Sequence, residues 1–212
     1  MESNSKGGIA AVAVVVGIVV GGLGGWWIAD MNMSDTNSNS SSSTSKDAPS
    51  SSSAAADLRA NMVAFGVEHM DLTYSAVAAT LNGSPSAGAD GKDLYKNGTD
   101  IGAALGGVYG EEAEKTFNDV WKLHLDEFVN YAVAASGKDA AGKKKALASI
   151  DKSYTKPLSA FLAGANPEFD ESALYDSLKT HVDMTAEMID KTAAGNFEAA
   201  TKLRDSGADH LT

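Results

Sequence analysis

The sequence lacks cysteine entirely, and it is short of proline and of basic side chains. Without cysteine, the chain cannot form disulfide bonds, thiolate metal sites or a cysteine nucleophile. With 17 Lys and Arg residues against 28 Asp and Glu residues, the formal net charge is −11. This charge repels a phosphate backbone, and no cluster of basic and aromatic residues offsets it. We therefore expect no nucleic-acid partner, and we interpret the three lysines at 143–145 as a solvated helix face.

Common catalytic motifs are also absent. The chain has no G-x-S-x-G, no H-E-x-x-H and no glycine-rich phosphate loop. The segment GADGKD at 88–93 lacks the alternating oxygen ligands and the final glutamate of a calcium loop, so we interpret it as a turn. The sequence predicts a binding protein and not an enzyme.

One long apolar run lies near the N-terminus, where residues 8–29 are 22 consecutive residues without a charge. A helix of about 20 apolar residues crosses the hydrocarbon core of a bilayer. A cleaved signal peptide is the alternative, but its apolar region usually has about 7 to 15 residues, and Trp27 is large for its place before a cleavage after Ala29. The sequence predicts one transmembrane helix at 8–29, preceded by a short tail at 1–7.

The charges flanking this run indicate its orientation. Lys6 is the only basic side chain before the run, whereas Asp30 and Asp35 follow it. Positive charge favours the cytoplasmic side, so we expect the tail inside the cell and the rest of the chain on the extracytoplasmic side of the cell membrane. Trp26 and Trp27 then lie at the outer membrane interface, where indole rings are favoured.

Three glycines within the run are spaced four residues apart, at Gly17, Gly21 and Gly25. This spacing lets two transmembrane helices approach closely. It predicts a homodimer contact within the membrane.

Residues 30–56 are rich in serine and have almost no apolar side chain to bury, so they predict a disordered linker. The remaining segment, 57–212, is rich in Ala, Lys, Asp and Glu, which favour helix over strand. We expect an all-α domain at 57–212.

Apolar residues in 57–212 recur at steps of three and four, the spacing of a helix face that packs in a bundle. Three such faces each carry one histidine, and we expect all three histidines to point inward. The aspartate two residues after each histidine lies about 200° further round the helix and should face solvent. The three faces are Leu58, Met62, Phe65, His69 and Leu72; Phe117, Trp121, His124, Phe128 and Tyr131; and Leu174, Leu178, His181, Thr185 and Met188.

The recurrence of His-x-Asp indicates an internal repeat. The segment 105–124 aligns with 162–181 without a gap, and each ends in its histidine. We expect an antiparallel bundle of four long helices with additional short helices, built from repeated hairpins, in which the second helix of the first pair packs as an appendage. The predicted pairs are 57–82 with 92–107, 111–136 with 139–163, and 171–194 with 196–212.

Four stretches together resemble a known pattern: EHMDLT at 68–73, NGTDIGAALGGVYGEEAE at 97–114, VWKLHLDEFV at 120–129 and NPEFDESALYDSLKTHVDMT at 166–185. Over nearly all of 57–212, the chain resembles a family of bacterial helical proteins with the motifs EHVxLT, DIGxAxxxFYGEEAG and HLxLT. Most members of this family are described as hypothetical proteins. The resemblance implies the helical fold and the inward histidines at 69, 124 and 181, but no particular activity. Gly98 departs from the family pattern, which has Gln there, and His210 lies where the family varies.

Three inward histidines in one bundle suggest a transition-metal site, because neutral imidazole binds zinc, copper, iron and nickel. The candidate ligands are His69, His124 and His181, with His210, Glu127 or Met184 as supplements. We expect copper or zinc, and a membrane-anchored binding protein.

The alternative is that the histidines are packing residues, each bonded to a buried neighbour such as Thr73, Tyr131 or Thr185. The domain would then be a structural or interaction module of the cell envelope with an unidentified protein partner. The two hypotheses differ in geometry, since a metal site needs the imidazoles clustered around one point.

Overall fold

The computed structural model describes residues 54–212. The predictions for the tail at 1–7, the transmembrane helix at 8–29 with its three glycines, and nearly all of the linker at 30–56 lie outside the described residues. Among the helices that are described, none combines the length and the apolar character needed to cross a membrane.

The described part of the chain is entirely helical and contains no strand, which confirms the predicted all-α class. The helices Ala140–Ile150 and Lys156–Ala165 are joined without a break by the π-helical segment Asp151–Thr155 and form one rod, so the described residues form six rods. The first helix begins three residues before the predicted domain start at 57. The elements are α1 Ala54–Leu81, α2 Ala87–Tyr109, α3 Glu111–Ser136, α4 Ala140–Ile150, the π segment Asp151–Thr155, α5 Lys156–Ala165, α6 Glu171–Ala193 and α7 Phe197–His210.

The breaks at 137–139, 166–170 and 194–196 lie within a few residues of the predicted ones, whereas α2 begins five residues before its predicted start at 92. Asp139, Asp170 and Asn196 each accept hydrogen bonds from backbone N–H groups in the first turn of the following helix. Such side chains satisfy donors that have no partner inside the helix. The rods consequently form three hairpins, and each hairpin begins with a histidine-bearing helix: α1, α3 or α6.

The second helix of the first hairpin differs from the prediction. It has 23 residues and packs along both α1 and α3, so the expectation of a short appended helix at 92–107 was wrong. The reason is a row of glycines facing α3. A Cβ atom at Gly98 would lie 2.5 Å from the ring of Trp121, and one at Gly102 would lie 2.1 Å from the Asn118 side chain. These glycines let the two helices approach closely.

A smaller core joins α1, α6 and α7, and we call it the methionine cluster. It consists of Met70, Met188 and Ala200, all fully buried. Gly207 of α7 faces Met70, and a Cβ atom there would lie 2.5 Å from the methionine Cε. The methionine cluster is therefore a closely packed apolar contact next to the position of His69 in α1.

Candidate metal centre

The three predicted histidines meet in the interior of the bundle, and we call them the histidine cluster. His69 of α1, His124 of α3 and His181 of α6 are 2 %, 0 % and 1 % exposed. Each offers one ring nitrogen such that the three nitrogens all lie within 4.8 Å of one another. The ring of His69 lies 5.8 Å from each of the other two rings, centroid to centroid. Three separate helices thus bring three imidazoles to one place.

A buried asparagine fixes the orientation of His69. The Nδ2 group of Asn97 donates hydrogen bonds to the Phe65 carbonyl, at 3.2 Å, and to a carboxylate oxygen of Glu68, at 2.9 Å. The Asn97 Oδ1 atom is therefore the acceptor that faces His69 Nδ1, at 3.2 Å. His69 donates from Nδ1, and its Nε2 atom carries the lone pair.

The other two imidazoles have nitrogens without hydrogen-bond partners. His124 donates from Nδ1 to the backbone carbonyl of Trp121, which leaves the lone pair on Nε2. That Nε2 atom and Nδ1 of His181 are both buried and have no partner among the described residues. Buried polar atoms are normally satisfied, so two unsatisfied nitrogens beside a third imidazole require an explanation.

Burial keeps the cluster uncharged. Removal from water lowers the pKa of His69 to about 4, against a smaller opposing effect of its bond to Asn97. Burial, followed by the proximity of His69 and His210, lowers the pKa of His181 to about 3. Burial, with the neighbouring His69 and His181, also holds the pKa of His124 well below its ordinary value. All three are neutral imidazoles near neutral pH, the form that binds metal ions.

Aromatic rings enclose the histidine cluster. The ring centroid of Trp121 lies 4.9 Å from that of His69 and 4.6 Å from that of His124. Tyr154 stacks on His124 with the centroids 4.1 Å apart. Tyr154 lies in the π segment, and such single-turn segments occur frequently at functional sites. These rings limit the motion of His124 and keep bulk water away from the nitrogens.

Two of the supplementary ligands predicted from the sequence, His210 and Glu127, are not among the residues of the cluster. His210 lies near the surface, with Nε2 2.9 Å from the backbone carbonyl of Ser177. Glu127 accepts hydrogen bonds from Ser149, at 2.7 Å, and from Asn130, at 3.0 Å. The bond to Ser149 shows that Glu127 is turned towards α4. Met184 is half-buried in α6 and stays a predicted ligand.

The hydrogen bonds expected from the packing alternative are not the ones observed. The hydroxyl of Thr73 donates to the backbone carbonyl of His69, at 2.7 Å, and that of Thr185 to the backbone carbonyl of His181, at 2.9 Å. Tyr131 donates to Asp190. None of these hydroxyls bonds an imidazole; the buried neighbour bonded to His69 is Asn97 instead.

The geometry of the cluster fits a metal after a small adjustment. Nitrogens that share a tetrahedral ion at 2.0–2.1 Å are about 3.4 Å apart. The three nitrogens lie within 4.8 Å of one another, so the longest separation must shorten by up to about 1.4 Å for all three to bind one ion. The group contains no carboxylate, so its ligands suit zinc or copper and not calcium or magnesium.

The sequence contributes the three histidines but gives no indication of Asn97 or Tyr154 as their neighbours. Asn97 is the first residue of the NGTDIG stretch, and Tyr154 belongs to none of the three predicted helix faces that contain a histidine. Both reach the cluster through tertiary packing alone.

Fold and site together define an all-helical bundle with a buried three-histidine cluster. No protein-family model, no curated protein and no solved structure matches the chain. The resemblance to the helical family with the EHVxLT motif thus stays a prediction, and the functional argument rests on the residues themselves.

Proposed function

We propose that the chain binds one transition-metal ion, Zn²⁺ or copper, through His69, His124 and His181. Two observations carry the proposal. One ring nitrogen of each histidine lies within 4.8 Å of the other two, and His124 and His181 each have a buried ring nitrogen without a partner among the described residues. An ion at this point would satisfy all three nitrogens at once.

Energetics favour a ligand over packing. A buried polar atom without a partner costs about 1–3 kcal/mol, and the cluster contains two such nitrogens. An apolar side chain at either position would avoid this cost. A site that binds an ion gains from the same nitrogens, since they are already removed from water.

The groups behind the ligands also support the proposal. His69 and His124 each donate their one ring N–H, at Nδ1: His69 to the Asn97 amide oxygen and His124 to the Trp121 carbonyl. Metal-binding histidines typically donate in this way, because the bond fixes the tautomer and the ring orientation.

Three protein ligands leave one position of a tetrahedral ion open. Structural zinc sites are usually closed by four protein ligands, whereas sites that handle an external ligand keep one position free. The proposed centre is of the second kind. We therefore propose a binding protein that presents a metal ion to a small ligand.

We also propose that this domain is held at the extracytoplasmic face of the cell membrane by the transmembrane helix at 8–29. This part of the proposal is supported by the apolar run and its flanking charges.

The proposal is tested by metal titration of the full chain. Metal-free protein is titrated with Zn²⁺ and, under reducing conditions, with Cu⁺, and bound metal and melting temperature are measured. We expect one ion per chain and a rise in melting temperature that grows with free metal. His124→Gln should abolish both effects.

The matched control is His210→Gln, which removes the surface histidine bonded to Ser177. It should bind metal as the unaltered chain does. Equal loss in both variants, or full retention in both, would overturn the assignment of the ligands.

A further inference from the structure

An apolar channel extends from the histidine cluster between α1, α2 and α3, with a volume of about 170 Å³. His69 and His124 line one part of it. Its walls are otherwise largely aliphatic and aromatic, and include Ala76, Val77, Leu94, Phe128 and Ala132.

The channel is elongated along the bundle. Its lining on α1 runs from His69 to Leu81, and its lining on α3 runs from His124 to Ser136. Each stretch advances twelve residues, which at 1.5 Å per residue is roughly 18 Å of helix. The imidazoles thus lie at one end, and the α1–α2 turn at Gly83 lies at the other.

The hydroxyls of Thr80 and Ser136 lie towards the far end of the channel, and the imidazoles lie at the inner end. Thr73 and Thr185 also line the channel there, but both hydroxyls already donate to backbone carbonyls. The Nε2 atom of His124, in contrast, is without a partner. A molecule in the channel would find apolar walls along its length and imidazole nitrogens at its inner end.

Charge indicates the head group of such a molecule. Three neutral imidazole ligands do not offset the charge of a divalent ion, and no carboxylate is among the clustered ligand atoms. A buried charge without a counter-charge is costly. An anionic oxygen ligand at the open position would both complete the coordination and reduce the net charge.

We propose that the channel binds a linear alkyl carboxylate whose carboxylate group is the fourth ligand of the metal. This inference rests on the proposed metal site and names the ligand class of that site. By volume, the channel is comparable to an engineered apolar cavity of about 150 Å³ that binds benzene, so a slender chain such as that of octanoate fits.

Two glycines of α2 provide a matched pair of variants. Gly91 lines the channel, and a Cβ atom built there meets nothing within 4 Å. Gly88, one turn earlier, has equally open space and does not line the channel. Leucine at either position raises helix propensity to a similar extent. Gly91→Leu fills the channel without a backbone clash, while Gly88→Leu controls for the substitution itself.

The experiment uses the full chain, with all variants in the same lipid nanodisc so that any lipid background is common to them. Co²⁺ replaces zinc because its visible absorption reports its coordination. Appearance of the Co²⁺ band tests the proposed metal site before any carboxylate is added. Octanoate and acetate are then titrated, and the change in the band is followed.

We expect octanoate to change the band at a concentration about 100-fold lower than acetate, since only octanoate buries methylene groups. Gly91→Leu should reduce this preference to a few-fold, while Gly88→Leu should keep it. Either an equal response to octanoate and acetate, or an unchanged preference in Gly91→Leu, would overturn the channel proposal even with the Co²⁺ band intact. Absence of the band itself would instead overturn the metal site.

Discussion

The histidine cluster and the methionine cluster occupy neighbouring positions on the same helices, and yet they differ in kind. His69 precedes Met70 on α1, and His181 lies two turns before Met188 on α6, with all four side chains buried. The methionine cluster is closed by apolar contacts alone. The histidine cluster contains two nitrogens without partners.

The comparison shows that apolar side chains alone can fill the interior of the bundle at this depth. Helices α1 and α6 are joined here by Met70 and Met188, so a histidine is not needed to fill the space. A flexible thioether adapts to its neighbours and leaves no polar atom unsatisfied. We infer that the methionine cluster serves stability and that the histidine cluster serves binding.

Met188→Ala is expected to distinguish the two clusters most clearly, by lowering stability while leaving metal affinity nearly unchanged. Removing this fully buried side chain should cost about 2–5 kcal/mol of unfolding free energy, because it leaves a cavity. Metal affinity should stay within a few-fold, since Met188 contributes no ligand. Urea unfolding and metal titration of the same sample measure both quantities.

Met184→Ala is the matched control on the same helix. Its side chain is half-buried, so the loss of stability should be smaller. A clear loss of copper affinity in Met184→Ala would show that the sulfur is a ligand. A loss of metal affinity in Met188→Ala would contradict the division between the two clusters.

Acid should weaken the histidine cluster and leave the methionine cluster unaffected. Since the pKa of His181 is lowered to about 3 in the folded protein, the unfolded chain takes up a proton first as the pH falls below 6.5. The stability contribution of this residue is fully present above pH 6.5 and is lost progressively down to about pH 3.

In metal-free protein, this loss should amount to roughly 2 kcal/mol by pH 5, at 1.36 kcal/mol per pH unit. It is measured as the difference in pH dependence of unfolding between the unaltered chain and His181→Leu. Identical pH profiles would show that His181 is not held neutral by burial.

Asn97→Ala should weaken metal binding by about tenfold, since it removes the acceptor that orients His69. Competition with a chromophoric chelator measures the change. Asn130→Ala, which removes an exposed amide of α3, should leave the affinity unaltered. Unchanged affinity in Asn97→Ala would mean that the ring orientation of His69 does not depend on this bond.

The smallest effect is expected for the stability of metal-free His181→Leu near pH 8. Leucine removes a buried nitrogen that has no partner, so we expect a gain of about 1 kcal/mol in unfolding free energy. Urea unfolding provides the measurement. A loss of similar or larger size would show that His181 is a packing residue after all.

Much of the fold follows from the sequence. The apolar spacing around His69, His124 and His181 locates three helices, and the polar breaks near Asp139 and Asp170 locate their partners. These features are local, because a helix face and a cap are set by residues within a few turns of one another.

The packing of α2 could not be predicted in this way. Gly98, Gly102 and Gly106 look like helix breakers in a single sequence. Their role depends on Trp121, Asn118 and Glu114 of α3, which fill the space where their side chains would be. A close approach between two helices is a property of the pair, and the sequence of one helix does not show it.

The candidate site also has one part that the sequence predicts and one part that depends on tertiary packing. The inward direction of the three histidines follows from periodicity, but their common height in the bundle depends on how α1, α3 and α6 are offset along their axes. The contact between Asn97 and His69 joins two hairpin arms, and the departure of Glu127 and His210 from the cluster reflects bonds to Ser149 and Ser177. These contacts depend on tertiary packing, so the sequence alone does not predict them.

The central claim is that the histidine cluster is a ligand set, and X-ray absorption of the zinc-loaded full chain at the metal edge tests it most directly. We predict a first shell of four light atoms at about 2.0–2.1 Å, with outer-shell scattering from three imidazoles. A first shell of water and carboxylate oxygens, with fewer than two imidazoles, would contradict the account and return the histidines to a packing role.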